Sequence, residues 1–181
     1  MNPRTPKLPQ LRQWLLAADD APLLELARTK NSVLSQLTAL SYDLDERVSK
    51  QSIRVTGLAA NIIAERDPEF VRNYILRLFW LVNDESGGIC WKAPELIGEI
   101  LYHCPQFSHF FPMLISLLDL EKEDAPRFRV GTLWAIGRVV QVNRQAMLPA
   151  LGHVQSIASV IQDSATQEIA VWCQIQLDES R

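Results

Sequence analysis

Four stretches of the chain open alike, and the interval between them limits what the chain can fold into. DERVSKQSIRVTGLAANI begins at Asp45, DESGGICWKAPELIGEIL at Asp84, DAPRFRVGTLWAIGRVVQ at Asp124 and DSATQEIAVWCQIQ at Asp163. The acidic starts lie 39, 40 and 39 residues apart, and Gly57, Gly98 and Gly137 follow at separations of 41 and 39. A period near 40 residues holds two helices and their turns, a unit that buries its apolar face only by stacking on neighbours. The expected fold is therefore all-α, a solenoid of about four helix pairs.

The segments between the repeats agree. DPEFVRNYILRLFWLVN places Pro68 at the first helical position and spaces Phe70, Val71, Tyr74, Ile75, Leu78 and Phe79 at the helical period. PQFSHFFPMLISLLDL and NRQAMLPALGHVQSIASVIQD each read as one helix bent at Pro112 or Pro149. The expected pairs are 22–42 with 45–65, 68–82 with 86–103, 106–120 with 125–141, and 144–161 with 164–177. No segment alternates as a strand does. Residues 1–20, with a short LRQWLLAA helix, are expected to form an arm that covers the exposed end of a single domain over 21–181.

The stretch NDESGGICWKAPELIGEI allows two readings. The register of the repeats favours a helix from Ser86, with Asp84 and Glu85 at its positive end and a bend before Pro94. The alternative is a loop to Ala93 and a short helix carrying Pro94 at its first position. Gly87, Gly88 and Pro94 make the helix costly at about 1, 1 and 3 kcal/mol. In the loop reading, Asp84, Glu85, Ser86, Gly87, Gly88 and Trp91 offer amides and acidic groups to a ligand.

The acidic starts and following glycines, best seen in FRVGTLWAIGRVV, resemble HEAT and bilin-lyase-type HEAT-like repeats over residues 22–178. FWLVNDESGGICWKAPELIGEI together with RVGTLWAIGR is similar to a set of small bacterial HEAT-repeat proteins to which no activity attaches. The last repeat departs from the pattern, having no glycine where Gly137 predicts one. The resemblance implies that the second helix of each pair lines the concave side.

Aligning the helices on the three glycines then puts Arg54, Glu95 and Trp134 in one row. Leu58, Glu99 and Arg138 form the next, and Asn61, Tyr102 and Gln141 a third. Arg54, Glu95, Glu99, Tyr102, Trp134 and Arg138 are the candidate binding residues, with Arg54–Glu95 and Glu99–Arg138 as expected inter-repeat pairs. Glu95, Glu99 and His103 share one helical side, but no second Glu/His motif accompanies them, so no metal is assigned. No P-loop, GxSxG, Rossmann or HExxH motif occurs, no catalytic residue is assigned, and no cofactor is expected.

Cys90, Cys104 and Cys173 lack metal or disulfide spacing and read as buried thiols. The aromatic group Phe79, Trp80, Phe107, Phe110 and Phe111 reads as core. No apolar run nears the roughly 18 residues that span a bilayer, and a cytoplasmic location is the simplest expectation. A net charge of −3 is a poor basis for phosphate binding, although Trp134, Arg138, Arg127, Arg129 and Arg144 gather basic and aromatic character. The expected function is a non-catalytic scaffold or assembly factor that binds a protein partner on the concave face. A small-ligand or cofactor-handling module, as in bilin lyases, is the alternative; a DNA glycosylase of HEAT-like fold fits the charge least.

Overall fold

The computed structural model describes residues 6–82, 90–119, 125–160 and 163–178, the side chains of 125–127 excepted. Ten α-helices run through them: α1 (Leu8–Leu16), α2 (Ala21–Thr29), α3 (Val33–Leu40), α4 (Glu46–Ala64), α5 (Pro68–Val82), α6 (Ala93–His103), α7 (Phe111–Ser116), α8 (Ala125–Met147), α9 (Leu151–Val160) and α10 (Ser164–Asp178). Short 3-10 segments at Pro105–Phe110, Leu117–Asp119 and Leu148–Ala150 join them. The described residues form an all-α solenoid of stacked helices. Its most extensive contacts run from α4 to α6, from α6 to α8 and from α8 to α10, so the second helices stack side by side.

Two of the acidic residues that open repeats, Asp45 and Asp163, cap helices. Asp45 accepts from the Arg47 amide at 3.0 Å ahead of α4, and Asp163 accepts from the Thr166 amide and hydroxyl at 2.8 and 2.6 Å ahead of α10. Such side chains satisfy amide donors that the first helical turn leaves unpaired. Asp67 does the same for α5 through the Phe70 amide.

The repeated glycine sets how closely the second helices approach. A Cβ on Gly57 would overlap the Glu99 carbonyl and the His103 ring of α6; on Gly98, Ala135 of α8; on Gly137, the Trp172 ring of α10. Each glycine thus receives the next repeat, including the last one, where a tryptophan fills the gap.

Several helices differ from the sequence expectation. The first helix of pair one is two, because Lys30 is extended between α2 and α3. Arg66 bonds the Ala27 carbonyl at that break, and Asn31 donates to Asp67 at 2.9 Å. The second helix of pair two starts at Ala93, after a turn, rather than near Ser86. Pro94 explains this: without an N–H it is tolerated in a first turn and opposes helix before it. Asp84, Glu85, Ser86, Gly87 and Gly88 lie outside the described residues. Pro112 and Pro149 stand where helical segments begin or run as 3-10, not as bends in one helix. At Asn143 (φ −151°, ψ 72°) α8 breaks, and the Asn143 side chain accepts from the Ala146 amide, which restores the boundary expected between residues 141 and 144.

The core follows the helical stripes. Val71, Tyr74, Ile75, Leu78 and Phe79 of α5 are buried, and Phe79 meets Phe110 with ring centroids 6.1 Å apart. Trp80 does not belong to the core: one step round the helix from Phe79, it is 60% exposed. All three cysteines are buried free thiols, and burial pushes Cys104 and Cys173 up to about 12. On α1, Leu11 and Leu15 are buried against α2, α3 and α4, and Arg12 clasps Asp43 at 2.7 Å. No described helix is long and apolar enough to cross a membrane.

Candidate functional site

Because the glycines draw α4, α6, α8 and α10 together, side chains of all four helices meet in one groove of about 540 Å³. Arg54 of α4, Glu95 and Glu99 of α6, and Trp134, Arg138 and Gln141 of α8 line it, as the repeat register predicts. Ile53, Val130, Ile169 and Trp172 add apolar wall, while Glu46, Ser49 and Lys50 come from the first turns of α4 and Lys92 from the turn before α6.

Glu99 and Arg138 pair across the repeats, Nε to Oε1, at 3.0 Å. The Glu99 side chain is 4% exposed and that of Arg138 22%, so the pair is largely withdrawn from water. Arg138 is held further by Gln141, at 2.7 Å, and lies over the Tyr102 ring, 3.4 Å from its centroid. Tyr102 therefore acts as a seat for Arg138 and does not itself line the groove. The second oxygen of Glu99 lies 3.4 Å from His103 Nε2, yet without hydrogen-bond geometry.

The expected Arg54–Glu95 pair is absent. Arg54 turns toward the start of the stack, bonding Asp20 and, at 2.7 Å, Gln51. Glu95 pairs instead with Lys92, three residues before it, at 3.1 Å. In sequence the i,i+3 neighbour was available, but helical register alone ranks neither partner. Glu95 Oε2 lies against Gly131, whose missing side chain makes room for the carboxylate on the α8 backbone, and it has no hydrogen-bond partner. Burial pushes the Glu95 carboxyl above its ordinary range, with Lys92 opposing.

Trp91 stacks on Phe128 of α8 with centroids 4.9 Å apart and is not part of the groove wall. Arg144 donates to the Leu177 carbonyl at 2.7 Å, near the end of α10, so the basic concentration read from the sequence is divided. Glu95 pairs with Lys92, while Glu99 pairs with Arg138 and faces His103, and no metal-holding group of His, Cys, Asp and Glu occurs among the described residues. Sequence reasoning missed Trp172, Lys92 and Gly131. Gly131 stands outside the glycine register, in the turns before Gly137, and Trp172 occupies a repeat without the marker glycine.

No family model matches the chain. An uncharacterized protein of Archaeoglobus fulgidus is 35% identical over 113 residues, 62% of this chain and 56% of the relative. The chain thus spans about half the length of that curated relative. Among solved structures, a designed armadillo repeat protein in complex with peptide (KR)4 aligns with a TM-score of 0.49 and 18% identity, covering 93% of this chain and 86% of that one. The archaeal HEAT-like repeats protein from Thermococcus onnurineus NA1 aligns with a TM-score of 0.37 and 15% identity, covering 96% and 66%.

Proposed function

We propose that the protein is a non-catalytic binding scaffold that receives a segment of a protein partner in the groove of α4, α6, α8 and α10. The observation that carries this reading is the groove itself: two half-buried indoles, Trp134 and Trp172, in an apolar wall edged by charged side chains. Aromatic anchors within a charged rim are the usual makings of a protein-recognition surface. The groove's cations already have carboxylate partners, which argues against phosphate binding along this face. A small ligand is the second reading, favoured by a volume within the ordinary range of ligand pockets.

Affinity capture from native cells under mild salt, followed by mass spectrometry of proteins and small molecules, tests both. The informative variant is Trp134→Ala/Lys50→Ala, which removes groove contacts while sparing the Glu99–Arg138 pair. Loss of a specific protein partner with that variant supports the scaffold; a co-purifying small molecule lost in the same way supports the second reading. Retention of every partner by the variant overturns the assignment to this groove.

A further inference from the structure

The groove is chemically lopsided. Lys50 bonds Glu46 at 2.8 Å, Arg54 bonds Asp20, Lys92 bonds Glu95 and Arg138 bonds Glu99, so each lining cation has a carboxylate. By contrast, one buried oxygen on each of three carboxylates, Glu95 Oε2, Glu99 Oε2 and Asp20 Oδ1, lacks a hydrogen-bond partner, Glu99 Oε2 having only the His103 contact at 3.4 Å. The remaining unpartnered buried side-chain atom among the described residues is also an acceptor, Gln36 Oε1. Buried acceptors without donors are costly to keep, and Glu95 and Glu99 both line the groove. Beside them in the lining stand Trp134 and Trp172, a residue type whose ring quadrupole attracts cations, and the aliphatic Ile53 and Ile169.

From this arrangement we infer that the groove takes a lysine or arginine side chain presented by an extended segment of the protein partner. The methylene stem lies along the indole and aliphatic wall, and the cationic head donates to Glu95 and Glu99. The inference rests on the scaffold reading above and names the partner's chemistry. Lys92 is the internal precedent: its ammonium already sits 3.1 Å from Glu95, and its side chain is 40% exposed, free to swing out for an incoming cation. Two features favour a peptide over a free polyamine. Polyamines carry a charge every few carbons and would set cations against apolar wall, whereas lysine and arginine carry one charge beyond an apolar stem. Moreover, four helices stacked at about 9 Å span roughly 27 Å, the reach of about eight extended residues.

The test is an NMR titration of the full chain that follows the Trp134 and Trp172 indole N–H resonances. The probes are blocked ten-residue Gly/Ser peptides with a central lysine, arginine or citrulline, and spermidine. Lysine and arginine peptides are expected to shift both indoles saturably, and the citrulline peptide to bind at least tenfold more weakly. Glu95→Gln is expected to weaken the lysine peptide at least fivefold and Lys92→Ala to tighten it about threefold. Arg72→Ala, which removes a positive charge from exposed α5 surface, should leave it unchanged. Equal binding of the citrulline peptide, indifference to Glu95→Gln, or an equal effect of Arg72→Ala and Lys92→Ala overturns the inference. Tenfold tighter binding of spermidine at the same resonances assigns the groove to a free polyamine instead. If no cation moves the indoles, the inference fails; partner loss in the Trp134→Ala/Lys50→Ala capture would still leave the scaffold reading standing.

Discussion

At Glu99 and Glu95, two acidic residues one helical turn apart, burial gives different consequences. Glu99 holds Arg138 and is almost wholly buried, so Glu99→Ala strands a guanidinium. Breaking such pairs costs about 3 to 5 kcal/mol, and Arg138 keeps Gln141 and some solvent, so the expected loss is about 3 kcal/mol in urea unfolding. Glu95 has a weaker claim on stability, since burial raises its pKa and its cation is partly exposed. A carboxyl whose folded pKa is raised contributes stability that is fully present below its unfolded pKa and lost as the pH rises through the folded value. Glu95→Gln should therefore melt at or above the wild-type temperature at pH 7.5, and the gap should close as the pH falls below the raised pKa. A lower melting temperature at pH 7.5 would show that the Lys92 bond outweighs the desolvation of Glu95. The Glu99–Arg138 pair was legible in the sequence because each residue directly follows a repeat glycine. The Arg54–Glu95 expectation failed because register brings side chains to a common face without saying which way a long side chain turns. Asp20, outside the repeat register, captured Arg54.

Between elements, the glycines decide the spacing, and their mutants separate packing from propensity. In an isolated helix Gly→Ala gains about 1 kcal/mol. Gly57→Ala should instead lose about 1 to 3 kcal/mol, since the new methyl meets backbone of α6 that has no rotamer with which to yield. Gly152→Ala is the control: nothing lies within 4 Å of its Cβ position, and it should gain about 0.5 to 1 kcal/mol. Chemical denaturation of both variants checks the reversal of sign. The repeat period, the helical stripes and most helix starts were legible from sequence, because caps and periodicity are local properties. The break at Lys30 and the start of α6 at Ala93 were less so. At the first, side chains from a distant helix, Arg66 and Asp67, hold the break; at the second, proline overrides the register that the other repeats set.

Across the whole molecule the solenoid is unevenly secured. Helices α4 and α6 bury residues on several sides, including Ile63, Leu96, Ile97 and Ile100, whereas α9 buries only Val154. Hydrogen exchange should protect the amides of α4 and α6 most and release those of α9 first, as expected where few apolar contacts close an element. At the other end, removal of residues 1–17 should expose the faces that Leu11 and Leu15 cover and lower the melting temperature, consistent with a capping role for the arm. By itself the sequence determined an all-α repeat of about 40 residues, which second helices face one another, and that Glu95, Glu99, Trp134 and Arg138 share a side. These follow from helical period, caps and spacing, which act over a few residues. Only the tertiary structure decided which cations the carboxylates engage, that Trp172 completes the wall, and that buried acceptor oxygens are left without donors. Apart from the local Lys92–Glu95 pair, those outcomes depend on segments 34 or more residues apart in the chain, where close packing, rather than sequence spacing, selects which atoms meet.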